Sequence, residues 1–171
     1  VPLRGDDWYA ENKIDLKLKT EVASLDAKSK ELTLGNGSKM KFDKLLLATG
    51  AEPIRLDIPG ADQPHVRTLR SIADCRAIIA QAKTAKRAVV IGASFIGLET
   101  AAALRARDVE VHVVAPEKRP LERVFGPQLG DFIRALHEEH GVKFHLENTV
   151  MVIDGKRAVL KSGDGLNADL V

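Results

Sequence analysis

One cysteine, Cys75, in 171 residues excludes an internal disulfide framework and any cysteine-rich metal site, and points to a reducing compartment. Aromatic residues are also scarce, with five Phe, one Trp and one Tyr, and Lys+Arg 26 against Asp+Glu 24 leaves a net charge of +2. There is thus no basic stripe interleaved with stacking rings, and nucleic acid is not an expected partner. No apolar run approaches the roughly 18 residues of a membrane helix, and no charged-then-apolar leader opens the chain, so the expectation is a cytoplasmic, non-membrane protein. What is present, 44% apolar and 29% charged residues, matches globular averages and suffices for one domain, or one domain with part of a second. Opening at Val1 and closing on Ala168-Asp169-Leu170-Val171, which reads as the first half of a strand, the sequence is expected to be a piece of something longer.

Short alternating runs, Ile14-Asp15-Leu16-Lys17-Leu18, Glu31-Leu32-Thr33-Leu34 and Met40-Lys41-Phe42, flank Gly35-Asn36-Gly37, and alternation around an Asn-Gly turn predicts a hairpin. The continuous apolar run Leu45-Leu46-Leu47-Ala48-Thr49-Gly50 predicts a strand buried on both faces. Pro53, Pro59, Gly60 and Pro64 mark residues 51–67 as a linker between a first segment, 1–50, and a second domain, 68–171.

Ser71-Ile72-Ala73-Asp74 resembles a capping box and predicts a helix with Cys75 on its apolar face, a buried inert thiol. A strand at 88–91, a helix to about Arg107, a strand at 110–114, a helix from Pro127 to Gly141 and a strand at 143–146 follow. That order predicts an α/β doubly wound parallel sheet with right-handed crossovers. An internal repeat is also visible. Leu32-x-Leu34-x-x-Gly37 with Phe42, Asp43 and Leu45 matches Ala158-x-Leu160-x-x-Gly163 with Ala168, Asp169 and Val171. The match means either two related nucleotide-binding units or merely two hairpins of common spacing.

Between strand and helix stands Gly92-Ala93-Ser94-Phe95-Ile96-Gly97, where a dinucleotide-binding loop has its glycines. Gly92 makes the turn, Gly97 lets the helix pack close, and the helix amino end offers free N–H groups to a pyrophosphate. Ser94 replaces the middle glycine, and its hydroxyl is a candidate phosphate donor. The ribose acid expected after the second strand is absent at Ala115. Glu117 can serve instead, favouring NAD, while the neighbouring Lys118 and Arg119 would favour NADP. Glu99 reads either as helix-end electrostatics or as a functional carboxylate, and Phe95 as a core contact or a functional ring. His137-Glu138-Glu139-His140 has the wrong histidine spacing for zinc, so no metal site is expected.

Asp43-Lys44-Leu45-Leu46-Leu47-Ala48-Thr49-Gly50-Ala51-x-Pro53, Thr68-Leu69-Arg70 and Val89-Val90-Ile91-Gly92-x-x-Phe95-Ile96-Gly97-Leu98-Glu99 together resemble the flavin-dependent pyridine nucleotide reductases. Within them the resemblance is to ferredoxin and rubredoxin reductases and the apoptosis-inducing-factor-like group. It implies a Rossmann-like NAD(P)H domain with a β-meander, plus a β-rich strip of an incomplete FAD domain. Hydride would pass from NAD(P)H to FAD, and electrons onward to a ferredoxin or other iron–sulfur protein. The resemblance carries Val22, Ala48, Thr49, Gly50 and Arg70 over as FAD-side residues, Phe95 and Glu99 as catalytic residues, and Glu117 as the ribose acid. It allows a homodimer of the parent, and the chain alone is not expected to turn over. The alternatives are an NADH oxidase or disulfide reductase of the same superfamily, or a non-catalytic NAD-binding redox sensor.

Overall fold

The computed structural model describes residues 3–171, and the chain divides into two compact units, Val1–Gly50 and Ala51–Val171. In the first, a short helix α1 (Asp6–Glu11) precedes strands β1 (Val22–Asp26), β2 (Glu31–Leu34) and β3 (Lys39–Lys41), which form an antiparallel sheet in the order β1-β2-β3. The Asn-Gly turn joins β2 to β3 as expected. Gly37 takes a φ of 82°, a left-handed value open to glycine, and its N–H donates to the Leu34 carbonyl at 2.8 Å.

Two expectations for this unit fail. The alternating run from Ile14 to Leu18 forms no strand, and the strand paired with β2 is β1 instead. Alternation supplies an apolar face, but a ladder also requires a partner in register. Leu45–Gly50 is irregular and open, with Leu46 86% exposed. A strand hidden on both faces needs neighbours, and no strand among the described residues pairs with this run.

The second unit holds helix α2 (Ile72–Ala82), β4 (Arg87–Ile91), α3 (Phe95–Arg105), β5 (Glu110–Val114), α4 (Glu122–Glu139), β6 (Val142–His145) and a meander of β7 (Val150–Asp154), β8 (Arg157–Leu160) and β9 (Gly165–Asn167). Strands β4, β5 and β6 are parallel and adjacent in that order, joined by α3 and α4 as crossovers. Ala88, Val111 and Val113 cluster with Ala101 and Leu104 of α3. Val89 and Val114 turn the other way, onto Val150, Ile153, Ala158 and Leu160 of the meander. Cover on both faces is why β4 reads as the continuous apolar run Ala88-Val89-Val90-Ile91. Leu170 bridges to Ala88 on the free edge of β4. Beside it the Asp169 carboxylate accepts the Lys86 and Arg87 amides at 3.0 and 3.2 Å and the Lys156 ammonium at 2.9 Å. The Lys156 bond and the two amides hold its pKa down at about 2. Residues 58–67 lie along the meander, with Ile153 donating to Pro59 and Gln63 to Ile153.

The sequence repeat is a structural one. Leu32↔Met40 in the first sheet corresponds to Ala158↔Leu166 in the meander, and the irregularity between Val22 and Ser24 to that between Val150 and Val152. Gly163 repeats the Gly37 turn, with φ 93° and an N–H bond to Leu160 at 2.9 Å.

Ser71 and Asp74 form a reciprocal cap on α2, as the capping-box pattern predicts. Cys75, however, is exposed, because only Ile78 and Ala82 of the α2 apolar stripe pack against the core, at the later end of the helix. Helix α4 is broken at Gly126, whose φ of 74° and ψ of −176° lie outside helical space. Its longer part starts at Pro127, the expected position, where a first-turn proline forfeits no helical bond. On the meander side of the sheet, His112 Nδ1 and His145 Nε2 approach to 2.9 Å with their rings stacked. Glu110 contacts Lys143, Arg87 and His112, and the Lys143 hydrogen bond above all holds its pKa at about 2.

Candidate functional site

The connection from β4 to α3 is where the fold leaves backbone donors unclaimed. Leu98 is the first residue of α3 to donate within the helix, to the Ser94 carbonyl at 2.9 Å. The amides of Phe95, Ile96 and Gly97 therefore precede the helical ladder, and Ser94, the N-cap, places no side-chain oxygen on them. Gly92 carries a φ of 110° and its N–H donates to Val114 at 2.8 Å, which ties the turn to the end of β5. Gly97 is required by contact. A Cβ there would overlap the Gly92 carbonyl oxygen, lie 3.1 Å from the Gly92 carbonyl carbon and 3.5 Å from Val90 Cγ1. The helix thus starts against the strand, with its positive end at the mouth of the turn.

The loop after β5 closes one side of that mouth. Ala115 is buried, its N–H donating to His145 and its carbonyl accepting from Asn148, and its methyl group has no oxygen to offer a ribose. Glu117 is two residues on, half-buried, with Arg123 at 3.7 Å from its carboxylate. Arg119 is engaged by Asp131 at 2.6 Å and Glu122 at 3.2 Å, which raise its pKa further, Asp131 most. Leu121, left-handed at φ 54°, donates its N–H to the Ala93 carbonyl at 3.1 Å. The glycine turn and the Glu117 loop are therefore one hydrogen-bonded assembly.

Gly92, Ala93, Ser94, Phe95, Ile96, Gly97 and Glu117 come together here. Ala93 is buried as the floor, and Ser94, Phe95 and Ile96 are exposed. Glu99 lies one turn along α3 from Phe95, exposed, and lines a cavity of about 230 Å³ between α2 and α3 with Cys75 and Leu69. Arg70 is at the start of α2, donating its Nε–H to Ala51 at 2.5 Å and its backbone N–H to Asp74. Val22, in β1, and Ala48, Thr49 and Gly50, in the irregular run, belong to the first unit and are exposed. Sequence reasoning missed the Arg119 clamp, the Leu121 bond and Phe125, whose ring meets that of Phe95 edge-on at 5.7 Å. The only available signal was the Phe125-Gly126-Pro127 string, where Gly beside Pro announces a break in the chain path.

The family model described as pyridine nucleotide-disulphide oxidoreductase matches residues 8–171. Rhodocoxin reductase of Rhodococcus erythropolis is 34% identical, over 100% of this chain and 41% of its own length. Rubredoxin-NAD(+) reductase of Pseudomonas putida is 32% identical, over 100% of this chain and 46% of its own. The crystal structure of a ferredoxin reductase from Rhodopseudomonas palustris, for the CYP199A2 system, superposes with a TM-score of 0.92 at 32% identity, over 100% of this chain and 43% of that one. The chain spans less than half the length of these relatives. Among the described residues no helix is long and apolar enough to cross a membrane.

Proposed function

The chain belongs to the pyridine nucleotide-disulphide oxidoreductase family, and from that premise we propose that it is the NAD(P)H-binding part of a flavin-dependent reductase serving a ferredoxin-type iron–sulfur acceptor. The observation that carries this reading is the β4–α3 turn, where three unclaimed amides, a glycine with no room for a Cβ and a helix amino end converge. That is a seat for a pyrophosphate.

The amides of Phe95, Ile96 and Gly97, with the Ser94 hydroxyl, would donate to the phosphate oxygens, and the buried Ala93 floor keeps the turn rigid beneath them. Glu117 would accept from the adenosine ribose hydroxyls. The engagement of Arg119 by two carboxylates supports NAD over NADP, since a 2′-phosphate would have to displace Asp131 and Glu122. Phe95 and Glu99, one helical turn apart, are the residues we assign to the nicotinamide end, and Val22, Ala48, Thr49, Gly50 and Arg70 to the flavin side. When bound, the nicotinamide supplies a hydride and the flavin takes it up, while the protein contributes orientation. The name of the rubredoxin-NAD(+) relative supports both ends of the reaction.

The test is made on the full-length parent carrying its FAD, by adding NADH without oxygen and following the flavin absorbance. Bleaching is the expected result. A flavin that keeps its colour while NADH is bound would make the site a holder or sensor of the nucleotide, not an enzyme.

A further inference from the structure

A short turn of helix, residues 122–125, is set off from the rest of α4 by two left-handed residues, Leu121 at φ 54° and Gly126 at φ 74°. A side chain at Gly126 would meet nothing within 4 Å, so glycine is there for its backbone conformation and not for space. The base of this turn is anchored twice, by the Leu121 N–H on Ala93 and by Arg119, which spans Glu122 and Asp131. The far end presents Phe125, 45% exposed, edge-on to Phe95, itself 49% exposed, with an interplanar angle of 87°. Neither ring is in the buried core. Phe95 is the first residue of α3 and carries one of the three free amides, so its ring stands directly beside the phosphate seat.

We propose that Phe125 is a positioning residue that fixes the Phe95 ring, and through it a flat ring of the bound dinucleotide, next to the free amides of α3. An exposed phenyl ring on a helix end otherwise samples its rotamers freely. The perpendicular contact, the favoured geometry for paired aromatic rings, selects one of them and leaves the rest of the Phe95 surface open to a ligand. The two candidates are the adenine and the nicotinamide. The adenosine ribose is assigned to Glu117, on the loop after β5, so the ring that meets Phe95 is the nicotinamide. This inference rests on the functional reading above.

Calorimetric titration of the wild-type protein, Phe125→Ala and Phe125→Tyr with NADH and with ADP-ribose, which lacks the nicotinamide, tests it. Phe125→Ala should weaken NADH binding roughly three- to tenfold, the range of an aromatic pair, and leave ADP-ribose unchanged, while Phe125→Tyr restores NADH. Equal losses for both ligands, or none, would overturn the role of Phe125 and leave the dinucleotide site standing. Failure of the wild-type protein to bind either ligand would overturn the functional reading and this inference with it. Phe125 is a surface residue, and an unchanged melting temperature for Phe125→Ala separates loss of positioning from loss of fold.

Discussion

Gly97→Ala is the most demanding perturbation of the site, because one methyl group tests both the fold and the seat it builds. The added carbon would overlap the Gly92 carbonyl oxygen and lie 3.1 Å from the carbon of that group, against roughly 3.5–4.0 Å for a relaxed contact. The opposing atoms are backbone, held by the Gly92 N–H bond to Val114, so no side-chain rotation relieves the overlap. Overpacking of this kind costs about 3 kcal/mol or somewhat more, and helix propensity returns about 1 kcal/mol for Ala over Gly. The net cost of about 2–3 kcal/mol lowers the melting temperature by roughly 4–12 °C in a chain of this size. Because the helix start must retreat from the strand, NADH binding should also be lost. A more radical variant such as Gly97→Leu would damage the fold itself and could not report on binding alone. Gly92→Ala is the control, since its Cβ meets no atom within 4 Å and only the backbone strain remains, about 1–3 kcal/mol. Thermal melts and NADH titration of Gly97→Ala decide the matter. A variant with wild-type melting temperature and affinity would refute the claim that α3 is seated on Gly92 through Gly97.

Glu117→Ala should weaken NADH more than NADPH, measured by competitive titration, whereas equal weakening would show a general loop effect. Asp169 has its folded pKa depressed to about 2 by Lys156 and the Lys86 and Arg87 amides, so its stabilisation is full above the unfolded value near 3.8 and is lost as pH falls towards 2. Asp169→Asn should therefore flatten acid unfolding between about pH 4 and 2, and an unchanged acid limb would exclude the carboxylate as its source. The pKa of His145 is lowered by burial first and then by His112, with Lys143 adding to the effect and Asp164 opposing it. Its contribution to stability is accordingly present above the ordinary histidine pKa of 6.5 and lost below it. His145→Phe should reduce the slope of stability between about pH 7 and 5 in denaturant titrations, and an identical slope would show that burial of His145 is not its source.

Local rules were legible where the physics is local. The Ser71–Asp74 cap, the Asn36-Gly37 turn and the Pro127 start each depend on a few neighbouring residues, and each was readable in sequence. The parallel pairing of β4, β5 and β6 followed from the alternation of strand and helix along the chain, opened by the apolar run Ala88-Val89-Val90-Ile91. The repeat was legible because matched turn glycines, Gly37 and Gly163, sit at matched distances from their strands. What failed depended on partners far away in sequence or missing from the packing. Leu45–Leu47 has strand composition but no ladder, Cys75 is on an apolar stripe covered only at Ile78 and Ala82, and Ile14–Leu18 alternates without a register. At the site, the glycines were legible because their spacing is a backbone requirement. The Arg119 clamp and the Phe95–Phe125 pair were not, since they join residues 12 apart and rings on different helices with no periodic trace.

Everything proposed for this chain depends on a dinucleotide being held at the amino end of α3. Titrating the isotope-labelled protein with NADH and following its amide resonances tests it most directly. Saturable shifts concentrated at Phe95, Ile96 and Gly97 and at Glu117, with the β7–β9 meander unmoved, are the expected result. Saturable shifts located elsewhere while those amides stay in place would contradict it.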